Sequence, residues 1–274
     1  MARYAVPSRI NFLMMRQCLF IIFLIPVFFA ACSTNNVTVD NSLQRYFDTA
    51  GVRGDFGLFD NGQGHFTIYN LSRFRDSAYS PGGTFAILES VIAIQTGAVK
   101  DSNSIVSAQG ETFSEAFRAP ANDSFFLQLA ARLGKDTLRK WIDSLRYGNK
   151  DLGHYPAAFW LDNSLAITSD EQLGLIKKLY FDQLPFFQRS QQIVRRMFPA
   201  ERNSNYQLVY KTGQVTDGRG HAIGWVLGWV EENKHPYFFS LNLESADPTA
   251  RLDSVGIQLV KKILAPMGFF EGKK

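Results

Sequence analysis

The sequence predicts an α+β domain: a mostly antiparallel sheet flanked by helices, its strands drawn from both ends of the chain around a helical block. Three observations carry this. Two alternating runs, 56–60 and 65–69, flank Asn61-Gly62-Gln63-Gly64 and read as a β-hairpin. Three more strand-like runs, 206–211, 222–231 and 237–243, gather near the end of the chain. Between the two groups, 113–196 is helix-like.

The elements follow in order. After the hairpin, the run TFAILESVIAIQT from Thr84 to Thr96 has Glu89 as its one charge, and Gly97 follows as a C-cap. A helix apolar nearly all round belongs in the middle of a domain. Breaks at Gly134, Gly148, Gly153 and Pro156 divide the helical block, and Leu138, Trp141, Ile142 and Leu145 recur at helical spacing. The first two C-terminal strands are joined by a Gly-rich stretch, TGQVTDGRG, so Lys211-Thr212-Gly213 should end a strand before a flexible loop. Leu252, Val255, Leu259 and Ile263, with Ile257 and Val260, mark a final amphipathic helix.

Composition narrows the function classes. Of 274 residues 46% are apolar, which excludes a disordered chain. Two cysteines exclude a disulfide-dense fold and a four-cysteine zinc site, and His65, His154, His221 and His235 lack paired metal-ligand spacing. No metal and no cofactor is expected. The net charge of +4 comes largely from Arg3, Arg9 and Arg16, which precede an apolar run from Cys18 to Ala31. At 14 residues that run is short for a bilayer-spanning helix, and the pattern reads as a secretory signal. Without 1–31 the balance falls to 26 basic against 25 acidic residues. With no basic stripe, nucleic acid is not an expected partner.

Phe29-Ala30-Ala31-Cys32 resembles the lipobox of bacterial lipoproteins, with Phe29 where leucine is usual. That resemblance implies a leader 1–31, acylation of Cys32 and anchoring on the periplasmic side of a membrane. Residues 32–47, polar and small at first, are expected to form a flexible tether, and 48–274 one domain. The residues leave the oligomeric state open.

Lys211-Thr212-Gly213 is followed by Gly228-Trp229-Val230-Glu231 and by Tyr237-Phe238-Phe239 with Asn242. It is preceded by Tyr147-Gly148-Asn149 and Phe159-Trp160-Leu161-Asp162. In order and spacing across 54–264 this series resembles the class D serine β-lactamases, the oxacillinase branch of the penicillin-recognising proteins. The resemblance implies the β-lactamase/transpeptidase-like fold, an antiparallel sheet with flanking helices and an all-helical subdomain. It also implies a Ser-x-x-Lys at the start of the buried helix, the serine as nucleophile and the carboxylated lysine as base.

Here the matching segment is Gly83-Thr84-Phe85-Ala86: Gly83 stands in the nucleophile's place and Ala86 in the base's. A glycine has no atom with which to form an acyl-enzyme, so the acyl-enzyme route is expected to be lost. Thr84 and Ser80 are poor substitutes, the first turned away along the helix, the second without a neighbouring base. The family's Ser-x-Val motif falls on Ala121 and Asp123; Ser124 is out of register and is the best candidate for a relocated nucleophile.

The recognition apparatus is retained. By resemblance Lys211, Thr212 and Gly213 line the site, the edge from Thr212 to Gln214 pairs with a ligand's backbone, and the N–H groups of Gly83 and Gln214 match the oxyanion donors. Arg251 stands about where the family holds the ligand's carboxylate, and Trp160 matches the tryptophan that steadies the carboxylated lysine. The expectation is a non-catalytic binder of a peptidoglycan-derived or β-lactam-like molecule. The alternatives are a hydrolase or transpeptidase acting through Ser124, and a protein-interaction scaffold.

Overall fold

A computed structural model describes Met1, 36–119, 123–155 and 158–274. Residues 2–31 of the leader, Cys32, Ala121 and Asn122 lie outside the described residues. Within the unit Asn36–Lys274, seven strands form one sheet in the order β1-β3-β2-β9-β8-β7-β6. They are β1 (Val37–Val39), β2 (Arg53–Asp60), β3 (His65–Tyr69), β6 (Ala200–Arg202), β7 (Gln207–Thr216), β8 (Ala222–Glu232) and β9 (His235–Ser245). Every neighbouring pair is antiparallel except β1 with β3. The two ends of the chain meet where β2 pairs with β9, Phe56 opposite Leu241.

The described helices are α1 (Gln44–Ala50), α2 (Leu71–Asp76), α3 (Ala86–Thr96), α4 (Phe113–Arg118), α5 (Asp123–Leu133), α6 (Lys135–Leu145), α7 (Ser169–Tyr180), α8 (Gln188–Met197) and α9 (Leu252–Leu264). A two-strand ladder, β4 (Ala78–Tyr79) with β5 (Ile167–Thr168), ties the approach to α3 to the start of α7. Strand alternation separates two cores. Trp225, Leu227, Trp229 and Phe238 pack under α3 and the helical block, while Val226, Val230, Phe239 and Leu241 pack under α1 and α9.

Three expectations change. First, the domain starts earlier than residue 48. Val37–Val39 pair with β3, and Leu43 and Phe47 are buried under the sheet, so 37–47 belong to the fold rather than to a flexible tether. Second, the hairpin turn depends less on Asn61-Gly62 than on Asp60, whose Oδ1 accepts the N–H groups of Gly62 and Gln63. Third, Lys211-Thr212-Gly213 does not end a strand. β7 continues to Thr216, each residue paired with β8, and only the loop to His221 is irregular. Cross-strand pairing overrides the local weakness of Gly213.

The buried helix also differs in detail. Its first turn, Gly82–Phe85, is a 3-10 helix, and the α-helix proper begins at Ala86. Gly97 caps it with φ +77°, as its position implies. Glu89 is fully buried on α3 with neither carboxyl oxygen hydrogen-bonded, and burial holds its pKa well above the ordinary value. Asp55 on β2 is also fully buried, and burial raises its pKa to about 7 against the opposing pull of Ser169 and Arg73.

Both groups keep a proton that the unfolded chain releases above about pH 4, so their burial costs stability as pH rises above about 4, for Asp55 up to about 7. Glu89→Leu is expected to raise stability at neutral pH by about 1–3 kcal/mol, since it removes an unsatisfied buried polar group. Asp55→Asn should flatten the fall in melting temperature between pH 4 and 7. Melting curves from pH 4 to 8 check both; an unchanged slope in both variants would count against this assignment.

Candidate functional site

The site is assembled around Phe85. Its ring stacks on Trp160 at 5.2 Å and 21°, and meets Phe159 and Tyr147 edge-on at 5.2 and 5.9 Å. The 3-10 turn is therefore clamped by two of the sequence motifs at once. Aromatic pairs at these separations each add about 0.5–1.5 kcal/mol beyond their burial.

Tyr147 clamps through its ring, and Gly148 and Asn149 fix the neighbouring loop. Gly148 sits at φ +51°, and a Cβ there would lie 2.1 Å from the carbonyl oxygen of Ala166. The Asn149 side chain donates to the Ser164 carbonyl and accepts from the Ala166 N–H, at 2.7 and 3.1 Å. These bonds fix the loop that carries Phe159 and Trp160. The Trp160 carbonyl in turn accepts from the Gly82 N–H at 3.0 Å and from Ser80 Oγ at 2.6 Å, while Trp225 Nε1 donates to the Ser80 carbonyl at 2.8 Å.

Gly83 and Ala86 are thus held on a rigid turn, and the neighbouring hydroxyls are engaged. Ser80 is buried and spends its proton on Trp160. Thr84 is fully buried, donates to the Pro81 carbonyl at 2.7 Å and accepts from Gln172 Nε2 at 3.0 Å. Ser124 is exposed on the first turn of α5 and enters none of the hydrogen bonds that hold the site.

Strand β7 lies directly across this turn. A Cβ on Gly213 would stand 2.5 Å from the Thr84 nitrogen and 2.9 Å from that of Gly83, so only glycine permits the approach. Lys211, 3% exposed, extends over the Phe117 ring with Nζ 5.2 Å from its centroid. β6 pairs with β7 only as far as Val209, which leaves the outer edge of 211–216 unpaired by any described strand. That edge and the turn carrying Gly83 face each other, and an extended ligand backbone fits an open strand edge.

Gln214 reaches the other way. Its amide donates to the Ala250 carbonyl at 2.9 Å and accepts from the Leu252 N–H at 2.8 Å, clasping the start of α9. Arg251 lies between the two clasped residues, 80% exposed, and its nearest carboxylate is Asp253 at 3.9 Å. The fold thus brings Gly83, Ala86, Trp160, Lys211, Thr212, Gly213 and Gln214 together with the base of Arg251, while Ser124 takes no part in the bonds that hold them.

Sequence reasoning missed one cluster. Asp217, His221 and Glu244 offer side-chain atoms within 4.8 Å of one another beside the β7–β8 loop. Three arginines converge on the same carboxylates, so the cluster is an ion-pair hub. The TDGRG stretch was its one sequence signal, since its partners Arg53, Arg73 and Glu244 lie far away along the chain.

Comparison with known proteins fits this geometry. The model of the penicillin binding protein transpeptidase domain matches residues 44–265. β-Lactamase OXA-20 of Pseudomonas aeruginosa is 32% identical over 73% of this chain and 78% of its own. Regulatory protein BlaR1 of Bacillus licheniformis is 29% identical over 78% of this chain, which spans only 37% of that longer protein. Among solved structures, the class D β-lactamase FUS-1 (OXA-85) of Fusobacterium nucleatum superposes with a TM-score of 0.78 at 25% identity, over 85% of this chain and 100% of its own. The C-terminal domain of the Bacillus licheniformis BlaR penicillin-receptor gives 0.77 at 26% identity, over 86% and 98%. Motif series, site geometry and these similarities converge: the chain belongs to the penicillin-binding transpeptidase-domain family, on its class D β-lactamase-like side.

Proposed function

We propose that this protein is a receptor rather than a hydrolase: it binds a peptidoglycan-derived or β-lactam-like ligand non-covalently between the Gly83 turn and the β7 edge. One observation carries the reading. Gly83 occupies the turn against Gly213, where the family's nucleophile would sit, and each nearby hydroxyl within the turn is buried and hydrogen-bonded. No side-chain oxygen there is available to attack a carbonyl. What remains are donors and charges suited to holding an acyl compound: the Gly83 and Gln214 N–H groups, Lys211, Thr212 and Arg251.

In this reading the protein is exported and held at a membrane by acylated Cys32. None of the described helices is long and apolar enough to cross a bilayer.

A fluorescent penicillin should raise the melting temperature, by about 2.7 kcal/mol of stability at 100 times its dissociation constant, and leave no label on the denatured protein. Label that survives denaturation would overturn the non-catalytic reading, and its loss on Ser124→Ala would transfer the chemistry to Ser124. The absence of any shift with penicillins and muropeptides would favour a protein-interaction scaffold.

Gly83→Ser with Ala86→Lys is expected to restore measurable acylation, read by the same label on denatured protein. Glu89 lies one helical turn beyond position 86 on the same face, where it would capture the new lysine as an ion pair. Adding Glu89→Gln should therefore increase acylation by about tenfold or more over the double variant.

A further inference from the structure

Helix α9 is longer than the helix packed beside it. α9 extends for about 20 Å, while α1 ends after about 10 Å at Gly51, whose φ of +66° stops the helix. Leu43 and Phe47 enter the same core as Leu259 and Ile263, so α1 is seated firmly, yet it is too short to cover the whole of α9. A groove of about 640 Å³ remains between the two helices.

The floor of the groove is apolar. Val255 and Leu259, four residues apart and so on one face of α9, meet Tyr46 and Ala50 of α1. Leu259 is buried, while Tyr46, Ala50 and Val255 keep part of their surface open. Thr49 also lines the groove, and its hydroxyl already donates to the Arg45 carbonyl at 2.7 Å.

The charge on the groove is of one sign. Arg45 and Lys262 line it, and among the described residues that do so there is no carboxylate. The acids of both helices lie elsewhere. Asp253 is 3.9 Å from Arg251, and Asp48 is on the β3 side of α1, where burial and then the Asp48 charge raise the Tyr69 pKa. Arg45 is held ready: it lies over the Tyr46 ring at 4.8 Å and Nη2 donates to the Tyr46 hydroxyl at 2.9 Å. A guanidinium has five N–H donors, so others stay open for an anion.

An apolar trough bordered by unneutralised cations matches a chain of methylenes that ends in an anion. We propose that the α1–α9 groove binds a fatty acid, its carboxylate on Arg45 and Lys262 and its acyl chain on Tyr46, Ala50, Val255 and Leu259. From Ser254 to Lys262 the groove follows α9 for about 12 Å. At about 1.2 Å per chain bond, a third of an extended residue, that length takes about ten carbons. The groove shares no lining residue with the cleft at the Gly83 turn, and the proposal does not rest on the reading of that cleft.

The test titrates the full chain with decanoate, octanoate and octanol by calorimetry. Decanoate should bind about four- to fifteenfold more tightly than octanoate, since each buried methylene contributes about two- to fourfold. Octanoate should bind about threefold or more tightly than octanol at low salt, and the gap should close in about 0.5 M salt. Arg45→Gln/Lys262→Gln should bind octanoate and octanol alike. Gln258→Trp, which sets a ring into the groove from α9, should weaken decanoate at least tenfold. All three substituted residues are exposed, so the core is left as it is. No binding of decanoate, or undiminished binding in both variants, overturns the site. Binding to phosphatidylglycerol vesicles without binding of free decanoate overturns it in favour of a membrane-facing surface.

Discussion

The contact on which the site depends is that of Gly213 with the 3-10 turn at Gly83 and Thr84. Strand and turn approach so closely that a single Cβ would meet two backbone nitrogens. Such an approach is maintained only if both partners are fixed independently. β7 is fixed by ten consecutive pairings with β8. The turn is fixed by the aromatic cage around Phe85 and by the bonds from Gly82, Ser80 and Trp225 that converge on residues 80 and 160. The family motifs YGN and FWLD read in this light as supports: they hold the turn in place, and the turn holds whatever residue occupies position 83.

This explains how the fold survives with Gly83 and Ala86. None of the bonds that shape the turn uses a side chain at either position; they run through the Gly82 N–H, the Ser80 and Thr84 hydroxyls and the ring of Phe85. A nucleophile and a buried basic lysine are commonly costs to a scaffold, repaid in catalysis and not in stability. Gly83 and Ala86 leave the supports intact. Glu89 is the costly carboxyl nearby, held protonated by burial in an apolar core with neither oxygen hydrogen-bonded.

Much of this was legible in the sequence, for a physical reason. Lys211-Thr212-Gly213, Tyr147-Gly148-Asn149 and Trp160 are contiguous motifs whose spacing is set by local backbone needs, so their arrangement can be read along the chain. What escaped was set by distant pairing. The run 214–216 looks like loop until β8 supplies its hydrogen bonds, and 37–47 looks like tether until β3 and α9 cover it. Glu244 and its arginines come from four separate stretches of chain, and no local pattern announces them.

Arg251 shows the same limit and how structure resolves it. Its place by sequence rests on a helix start, a feature with no fixed relation to β7. The relation is created by Gln214, whose amide is satisfied at both ends by the backbone on either side of Arg251. Because the Gln214 backbone belongs to β7 and its side chain bonds the start of α9, any shift of that strand is transmitted to the helix start. The β7 edge and the position of Arg251 are therefore mechanically linked. The receptor proposed above needs some such coupling, since a ligand acts on a partner only through a difference in the protein's own conformation.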